Sequence, residues 1–184
     1  MATDPRYQPI TADEFLAMDF GSDRKFELSN GVIQMMTGGS FLHAHVSGNI
    51  YHALRLKLNG SSCRPLNSDM GVRVDETTVR YPDVSIVCRD NWLLEADVKS
   101  FPDPVAIFEV LSPSTTTFDQ GTKRFDYQQI ASVQAIILVD PVNRLTRAYF
   151  RLSDSAWSDT SFAQPHDIRL EMLGITLTEA EIFG

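Results

Sequence analysis

The stretch YPDVSIV (residues 81–87) decides the fold, together with VAIFEVL (residues 105–111) further along the chain. Both are short, apolar and rich in β-branched residues, which predicts two buried strands. Each carries one acid, Asp83 or Glu109. A buried carboxylate is costly unless it is paired, hydrogen-bonded or bound to a metal. Two such strands side by side would bring both carboxylates to one hard cation, an arrangement that Mg²⁺ favours.

Spacing alone leaves a plainer interpretation open. An acid after proline often starts a strand or caps a turn, so Asp83 need have no chemical role. A single acid such as Glu109 in an apolar run can also be an edge residue that faces water.

A polar helix follows the second strand and bears on this choice. The segment SPST (residues 112–115) ends the strand, and residues 118–131 then predict a helix. Asp119, Lys123 and Tyr127 are spaced four apart, so they share one face of it. This helix face is either exposed to solvent, with an ordinary Asp–Lys pair, or directed at the sheet. In the second case Lys123 points back at the two carboxylates and would hold a water or a phosphate there.

Together these residues resemble the Uma2 (Uma-two) family of putative restriction endonucleases, within the PD-(D/E)xK nuclease superfamily. The resemblance covers roughly residues 10 to 150. It is carried by the motifs YPD (81–83), EVLSPST (109–115), FELSNGVI (26–33) and LVDP (138–141), and by His43, Asp119, Lys123 and Tyr127. The implied fold is α/β, a restriction-endonuclease-like core with a central mixed β-sheet flanked by helices.

The resemblance also implies the chemistry of the site. Asp83, Glu109 and the main-chain carbonyl of Val110 are expected to bind Mg²⁺ or Mn²⁺. The superfamily lysine usually lies two residues after the second acid, where this chain has Leu111. The resemblance therefore implies that Lys123, on the following helix, has taken over that role.

Three further residues acquire expected roles from the resemblance. Glu27 matches the N-terminal acid of the family and is expected to add a metal or water contact in catalysis. His43 is expected to contact a substrate phosphate or a water, and Tyr127 to position Lys123 or a phosphate. The family often has an acid–aromatic pair where this chain has QAI (134–136), a departure expected to alter packing more than chemistry.

Size and patterning predict one domain spanning residues 1–184. A hydrophobic content of 43% and a charged content of 22% are ordinary for a globular protein with a sizeable core. No glycine-rich phosphate loop occurs, which argues against a nucleotide cofactor. The predicted helices are 11–18, 41–59, 118–131 and a turn at 178–181; the predicted strands are 25–28, 32–36, 71–74, 79–87, 105–111, 135–139, 145–152 and 168–173.

The charge balance limits how nucleic acid could be bound. The net charge is −8, from 16 basic and 24 acidic residues, whereas phosphate binding depends on Lys and Arg. A broad nucleic-acid footprint is therefore not expected, although DNA remains the expected partner. A local basic patch is available from Arg55, Lys57, Arg64, Lys123 and Arg124.

The cellular setting is predicted from three features. No apolar run approaches the length of a membrane span. Residues 1–9 are polar and lack the core of a signal peptide. Cys63 and Cys88 have no metal-like spacing and are expected to be reduced and structural, in a cytoplasmic protein.

The preferred function is a Mg²⁺-dependent DNA endonuclease that acts as a homodimer, because one metal site cuts one strand. The candidate interface is the strand region from Leu145 onward, with Tyr149, Phe150 and Trp157. The alternative is a catalytically inactive dimeric nuclease-fold binding module, which the acidic balance and Leu111 favour. A glycoside hydrolase is disfavoured by the nearby lysine.

A zinc site is one interpretation of the histidines of the 41–59 helix. His45 and His52 are seven residues apart and share a face, but no carboxylate or cysteine at ligand spacing completes a site. They are interpreted as surface or interface residues.

Overall fold

The structure is a computed structural model that describes residues 8–92, 96–112, 117–164 and 166–184. The helices are α1 (Ala12–Ala17), α2 (Phe41–Lys57), α3 (Thr117–Gln129) and α4 (Glu179–Phe183). The strands are β1 (Phe26–Ser29), β2 (Val32–Met35), β3 (Cys63–Asn67), β4 (Gly71–Arg73), β5 (Val79–Arg80), β6 (Val84–Cys88), β7 (Ser100–Phe101), β8 (Ala106–Val110), β9 (Ala135–Asp140), β10 (Leu145–Arg151), β11 (Trp157–Phe162), β12 (Ile168–Leu170) and β13 (Ile175–Leu177).

Two mixed sheets form the body of the fold. The larger has the order β11-β10-β9-β8-β6-β3 and the smaller β2-β1-β5-β4-β7, while β12 and β13 form a separate ribbon. The neighbours are antiparallel except for β8 with β9 and β4 with β7. The predicted α/β class, with a central mixed sheet between helices, is confirmed.

The larger sheet is covered on both faces because its central strands are apolar on both sides. On one face, Val46, Ile50 and Leu54 of α2 pack in a cluster with Phe108 and Ile137. On the other face, Tyr127 and Ile130 of the α3 region pack in a cluster with Ile107, Ile136 and Leu138. Side chains alternate along a strand, so Glu109 shares the α3 face with Ile107.

Local sequence signals account for the other elements at the site. Asn30 and Gly31 have φ of 49° and 76°, as a type I′ turn requires, and they join β1 and β2 in a hairpin. Thr11 with Glu14, and Thr178 with Glu181, form capping boxes at the starts of α1 and α4.

The predicted continuous strand 79–87 is wrong. The chain is in β5 of the smaller sheet up to Arg80, then enters β6 of the larger sheet at Val84. Pro82 lies in the crossing, where its missing N–H costs no ladder hydrogen bond. The crossing places Asp83 at the start of a central strand, at the junction of the two sheets.

The expectation of reduced cysteines is also wrong, because Cys63 and Cys88 form a disulfide. They are directly opposite one another in the antiparallel pair of β3 and β6. The sequence did not show this because β3, which contains Pro65, was not predicted as a strand. Disulfides are uncommon in cytosolic proteins, so the bond does not support the cytoplasmic expectation.

None of the helices in the described ranges is long and apolar enough to cross a lipid bilayer.

Candidate active site

The two predicted carboxylates lie on neighbouring strands. β6 and β8 are antiparallel with Val84 opposite Phe108, and the same register places Asp83 opposite Glu109. Asp83 Oδ2 accepts a hydrogen bond from the Val110 main-chain N–H at 2.7 Å. This bond ties the acid at the start of β6 to the end of β8 and fixes its orientation.

Glu109 is held by the helix above its strand. The hydroxyl of Tyr127, a fully buried side chain of α3, donates a hydrogen bond to Glu109 Oε1 at 2.6 Å. The pKa of Glu109 is raised to about 7, mainly by burial. The charges of Asp83 and Glu27 contribute to the rise, while Lys123 and the Tyr127 hydrogen bond oppose it. Glu109 retains some exposed surface, yet burial of its carboxylate dominates.

Lys123 points inward from α3. Its Nζ lies 3.2 Å from Glu27 Oε2, and its side chain is 22% exposed. Burial alone would lower the pKa of Lys123, but Glu109 and Glu27 outweigh burial and raise it, so the amine stays charged. Glu27 Oε2 is buried, so the ion pair with Lys123 is what balances its charge.

Sequence reasoning missed a buried arginine beneath these residues. Arg80 is 2% exposed and donates hydrogen bonds to Glu27 Oε1 at 2.9 Å, Ser29 Oγ at 2.9 Å and Asp126 Oδ2 at 2.8 Å. Asp126 lies on α3 beside Tyr127, so Arg80 links β1 to α3. The available signal was a charged residue in a buried strand, the same argument that identified Asp83 and Glu109.

His43 lies in the first turn of α2, where its main-chain N–H bonds to the capping Ser40 Oγ at 3.2 Å. Its Nε2 is 3.2 Å from Asp83 Oδ2. The hydrogen bond with Asp83 raises the pKa of His43 against the opposing effect of burial, and a hydrogen bond to the Val110 main chain adds to the rise. His43 therefore contacts Asp83, one of the predicted metal ligands.

The site was tested for its fit to a divalent metal. Within the part of the chain that the structure describes, no three His, Cys, Asp or Glu side chains form a metal-binding group. Two carboxylates with main-chain and water oxygens would still suit Mg²⁺, which keeps several waters. Burial and the neighbouring Asp83 raise the pKa of Glu109, so its carboxylate is costly to charge and a bound cation would offset that cost. The residues fit such an ion.

The remaining residues that the sequence singled out, namely Asp119, the two helix histidines and the basic patch, do not lie together in one site. The side chain of Asp119 and residues 113–116 lie outside what the structure describes. His45 and His52 are exposed. In the proposed basic patch, Lys57 is paired with Glu181 at 2.8 Å and Lys123 with Glu27. Acids already balance these two charges.

The pKa of Glu109 leads to a pH-dependent prediction for the metal-free protein. The folded-state pKa of about 7 lies above the ordinary value of 4.5, so the folded state binds more protons between these values. The free energy of unfolding then falls as pH rises through this window. Glu109→Gln removes the buried carboxylate that must lose its proton as pH rises. In EDTA the variant should therefore be more stable than the wild type by about 1–3 kcal/mol at pH 8, and the two proteins should be nearly equally stable at pH 5.

Urea unfolding at the two pH values measures the effect. Asp154→Asn, at an exposed acid in the β10–β11 turn, is the control and should show no such trend. A stability difference for Glu109→Gln that does not change with pH would contradict the prediction.

Comparison with known proteins gives a consistent result. The sequence model of the Uma2 family, described as "Putative restriction endonuclease", matches residues 12–180. Two uncharacterized proteins of Synechocystis sp. strain PCC 6803 are similar. The protein slr1290 is 26% identical over 178 residues, 96% of this chain and 93% of its own length. The protein sll1609 is 27% identical over 149 residues, 80% of this chain and 84% of its own length.

A solved structure shares the fold. It is the crystal structure of a protein from Anabaena variabilis that is described as a putative nuclease belonging to DUF820. The two structures superpose with a TM-score of 0.76 at 17% sequence identity, over 95% of this chain and 98% of that chain.

Proposed function

Since the chain belongs to the Uma2 family of putative restriction endonucleases, we propose that it is a divalent-metal-dependent endonuclease that hydrolyses phosphodiester bonds in DNA. One observation carries the proposal: two carboxylates on adjacent strands and a charged amine on the covering helix share one interacting cluster. The charges of Asp83 and Lys123 both act on Glu109. Hydrolysis of a phosphodiester requires such groups: carboxylates that can hold a metal, and a cation that can stabilise charge on the phosphate or orient the attacking water.

The metal would be held by Asp83, Glu109 and the carbonyl of Val110, with Mg²⁺ or Mn²⁺ as the ion. When bound, such an ion supplies Lewis-acid stabilisation of the phosphate charge and makes a water more acidic. Val110 contributes in a second way, because its N–H fixes the Asp83 carboxylate at 2.7 Å.

The protein groups around the ion would do the remaining work. Lys123 orients the attacking water or stabilises charge that develops on the phosphate oxygens. Tyr127 holds Glu109 through its 2.6 Å hydrogen bond, a more specific role than the predicted contact with Lys123 or a phosphate. Glu27 pairs with Lys123 through Oε2 and with Arg80 through Oε1, and so fixes the position of the amine.

The direct experiment is nicking of supercoiled plasmid DNA by the purified protein with Mg²⁺ or Mn²⁺ and with EDTA, alongside metal calorimetry. Metal-dependent nicking supports the proposal. Metal binding without nicking of any DNA form would favour the inactive binding module, whose specific support is Leu111 at the usual lysine position. Absence of metal binding would overturn the proposed site.

Lys123 gives a prediction that separates catalysis from metal binding. Lys123→Ala should lower the nicking rate by about 100-fold or more, as loss of an electrostatic stabiliser does. The Mg²⁺ affinity should stay equal or rise slightly, since the amine repels the ion. Lys123→Arg should restore little, because a planar guanidinium is not a compact point charge.

Lys99→Ala is the control, because Lys99 lies outside the basic patch and its amine donates to the main-chain oxygen of Leu16 at 2.7 Å. It should leave nicking unchanged. If Lys123→Ala cuts DNA as fast as Lys99→Ala does, Lys123 has not taken over the role of the usual lysine.

We also propose a homodimer, because cutting both strands of duplex DNA is simplest with two symmetry-related sites. The candidate surface needs one correction: Tyr149 is 3% exposed and packs within the chain, so it is not available for an interface. Phe150 and Trp157 are only partly buried. Light scattering at micromolar concentration should give about twice the monomer mass of 20.6 kDa; a monomer would contradict the prediction.

A further inference from the structure

Arg147 lies on the same face of the larger sheet as Glu109. Glu109 of β8 is opposite Leu138 of β9, and Leu138 is opposite Arg147 of β10. Residues directly opposite one another in a sheet point to the same side, so Glu109 and Arg147 stand in one row across it. Two strand spacings, about 10 Å, separate them. Arg147 is exposed, so a molecule bound at Glu109 that extends along this row reaches it.

A second arginine, Arg124 of α3, lies beside the first. Its guanidinium carbon is 4.3 Å from the ring centre of Phe125 and 5.0 Å from that of Tyr149. The guanidinium carbon of Arg147 is 5.2 Å from the centre of the same Tyr149 ring. Tyr149 is buried in the sheet, so one fixed ring brings together a cation from the helix and a cation from the strand.

The charges at this surface do not balance. Asp159 pairs with Arg147 at 2.6 Å, whereas none of the acids in the described ranges forms a salt bridge with Arg124, which bonds to the neutral Gln128 at 3.3 Å. Burial raises the pKa of Tyr149; Arg147 and Arg124 oppose this rise, and Asp159 adds to it. Two cations and one acid therefore leave local positive charge on a chain whose net charge is −8.

The chemistry of Arg124 suits an anion with several oxygens. A guanidinium that lies against aromatic rings keeps its N–H groups at the edge of its plane, where they match a phosphate with two parallel hydrogen bonds. Within the part of the chain that the structure describes, Arg124 donates one hydrogen bond, to Gln128 Oε1. Its other N–H groups are available to such a ligand.

The distance from Glu109 indicates which phosphate this is. One DNA strand carries a phosphate every 3.4 Å or so along the helix axis, so the separation of about 10 Å between β8 and β10 corresponds to roughly three nucleotides. A strand whose scissile phosphate lies at Glu109 would therefore present a neighbouring phosphate at Arg147.

We propose that Arg124 and Arg147 bind a backbone phosphate of the substrate DNA, about three nucleotides from the phosphodiester that is cleaved. This inference rests on the proposed nuclease function and adds a binding surface to it. Contacts with phosphate fix the position of a strand and carry no sequence information, so the two arginines are positioning residues. Phe150 packs on the opposite face of the sheet, so a dimer formed through Phe150 leaves this surface open.

Binding of a fluorescein-labelled DNA duplex to the full chain in EDTA, followed by anisotropy at several salt concentrations, tests this surface apart from the metal. Arg124→Ala and Arg147→Ala should each weaken binding at low salt by about 3- to 10-fold. Each should also reduce the slope of log affinity against log salt by about 0.9, the contribution of one phosphate contact. Arg169→Ala, at an exposed arginine near Glu171, is the control and should change neither quantity.

Asp159→Asn tests the same surface by a gain of affinity, which an unfolded variant cannot produce. It keeps both arginines and removes the acid that pairs with Arg147, so the duplex should bind more tightly than to the wild type. Arg124→Ala and Arg147→Ala variants that match Arg169→Ala in affinity and salt slope would overturn the surface, and the proposed nuclease would stand if metal-dependent nicking persists. Absence of duplex binding by the wild-type protein at low salt would also overturn the surface. Binding that depends on both arginines in a protein that nicks no DNA would support the surface and count against the nuclease.

Discussion

Asp83→Asn and Glu109→Gln should each lower metal-dependent DNA nicking by about a thousandfold or more, and both variants should remain folded. A bound metal contributes several kcal/mol to the transition state, and each 1.36 kcal/mol is a factor of ten in rate. Both substitutions keep the size of the side chain and an oxygen that accepts the hydrogen bond from Val110 or Tyr127. They remove only the negative charge that would hold the ion.

Plasmid nicking, metal calorimetry and circular dichroism on the same samples measure the outcome. Asp154→Asn, at an exposed acid far along the chain, is the control and should retain full activity. If Glu109→Gln unfolds the protein while Asp83→Asn still binds metal as the wild type does, the two acids are structural and the proposed site is wrong.

Replacing Arg80 should have the largest effect on stability. Arg80→Met would leave Glu27 and Asp126 without the guanidinium that hydrogen-bonds to both. Breaking a buried ion pair by removing one partner costs about 3–5 kcal/mol, because the remaining charge is buried and uncompensated. Urea unfolding should show a loss of this size.

Arg147→Met is the matched control, because Arg147 also makes two hydrogen bonds to an acid, Asp159, but in a pair about half exposed. Such surface pairs contribute about 0–1 kcal/mol. Adding Asp126→Asn to Arg80→Met should cost less than the sum of the two single changes, since one of the two carboxylates left unpaired is then neutral. Equal losses for Arg80→Met and Arg147→Met would show that the buried network contributes no more than a surface pair.

Part of the site could be predicted because it depends on the regular geometry of strands. Asp83 and Glu109 stand in apolar runs, and the antiparallel register of β6 and β8 places them opposite one another. The four-residue spacing of Lys123 and Tyr127 put them on one face of α3, which packs on the sheet. Their chemical roles stay proposals.

Other parts could not be predicted because they depend on how distant elements meet. Arg80 is a charge in an apolar strand, but its partners Glu27 and Asp126 could not be predicted, because the crossing between the sheets brings them to it. The polar edge strand β11 and the proline-containing β3 lack the apolar alternation that marks a strand. Without β3, the pairing of Cys63 with Cys88 had no geometric basis.

The Arg80 network also bears on when the protein would acquire the proposed activity during synthesis. Its bonds join residues 53 and 46 positions apart along the chain, and closing such loops costs entropy that only the completed contacts repay. Residues 27, 83 and 109 leave the ribosome before α3 does. A nascent chain therefore carries its carboxylates without Lys123, and under the proposed function we expect no cleavage of DNA until α3 docks onto the sheet.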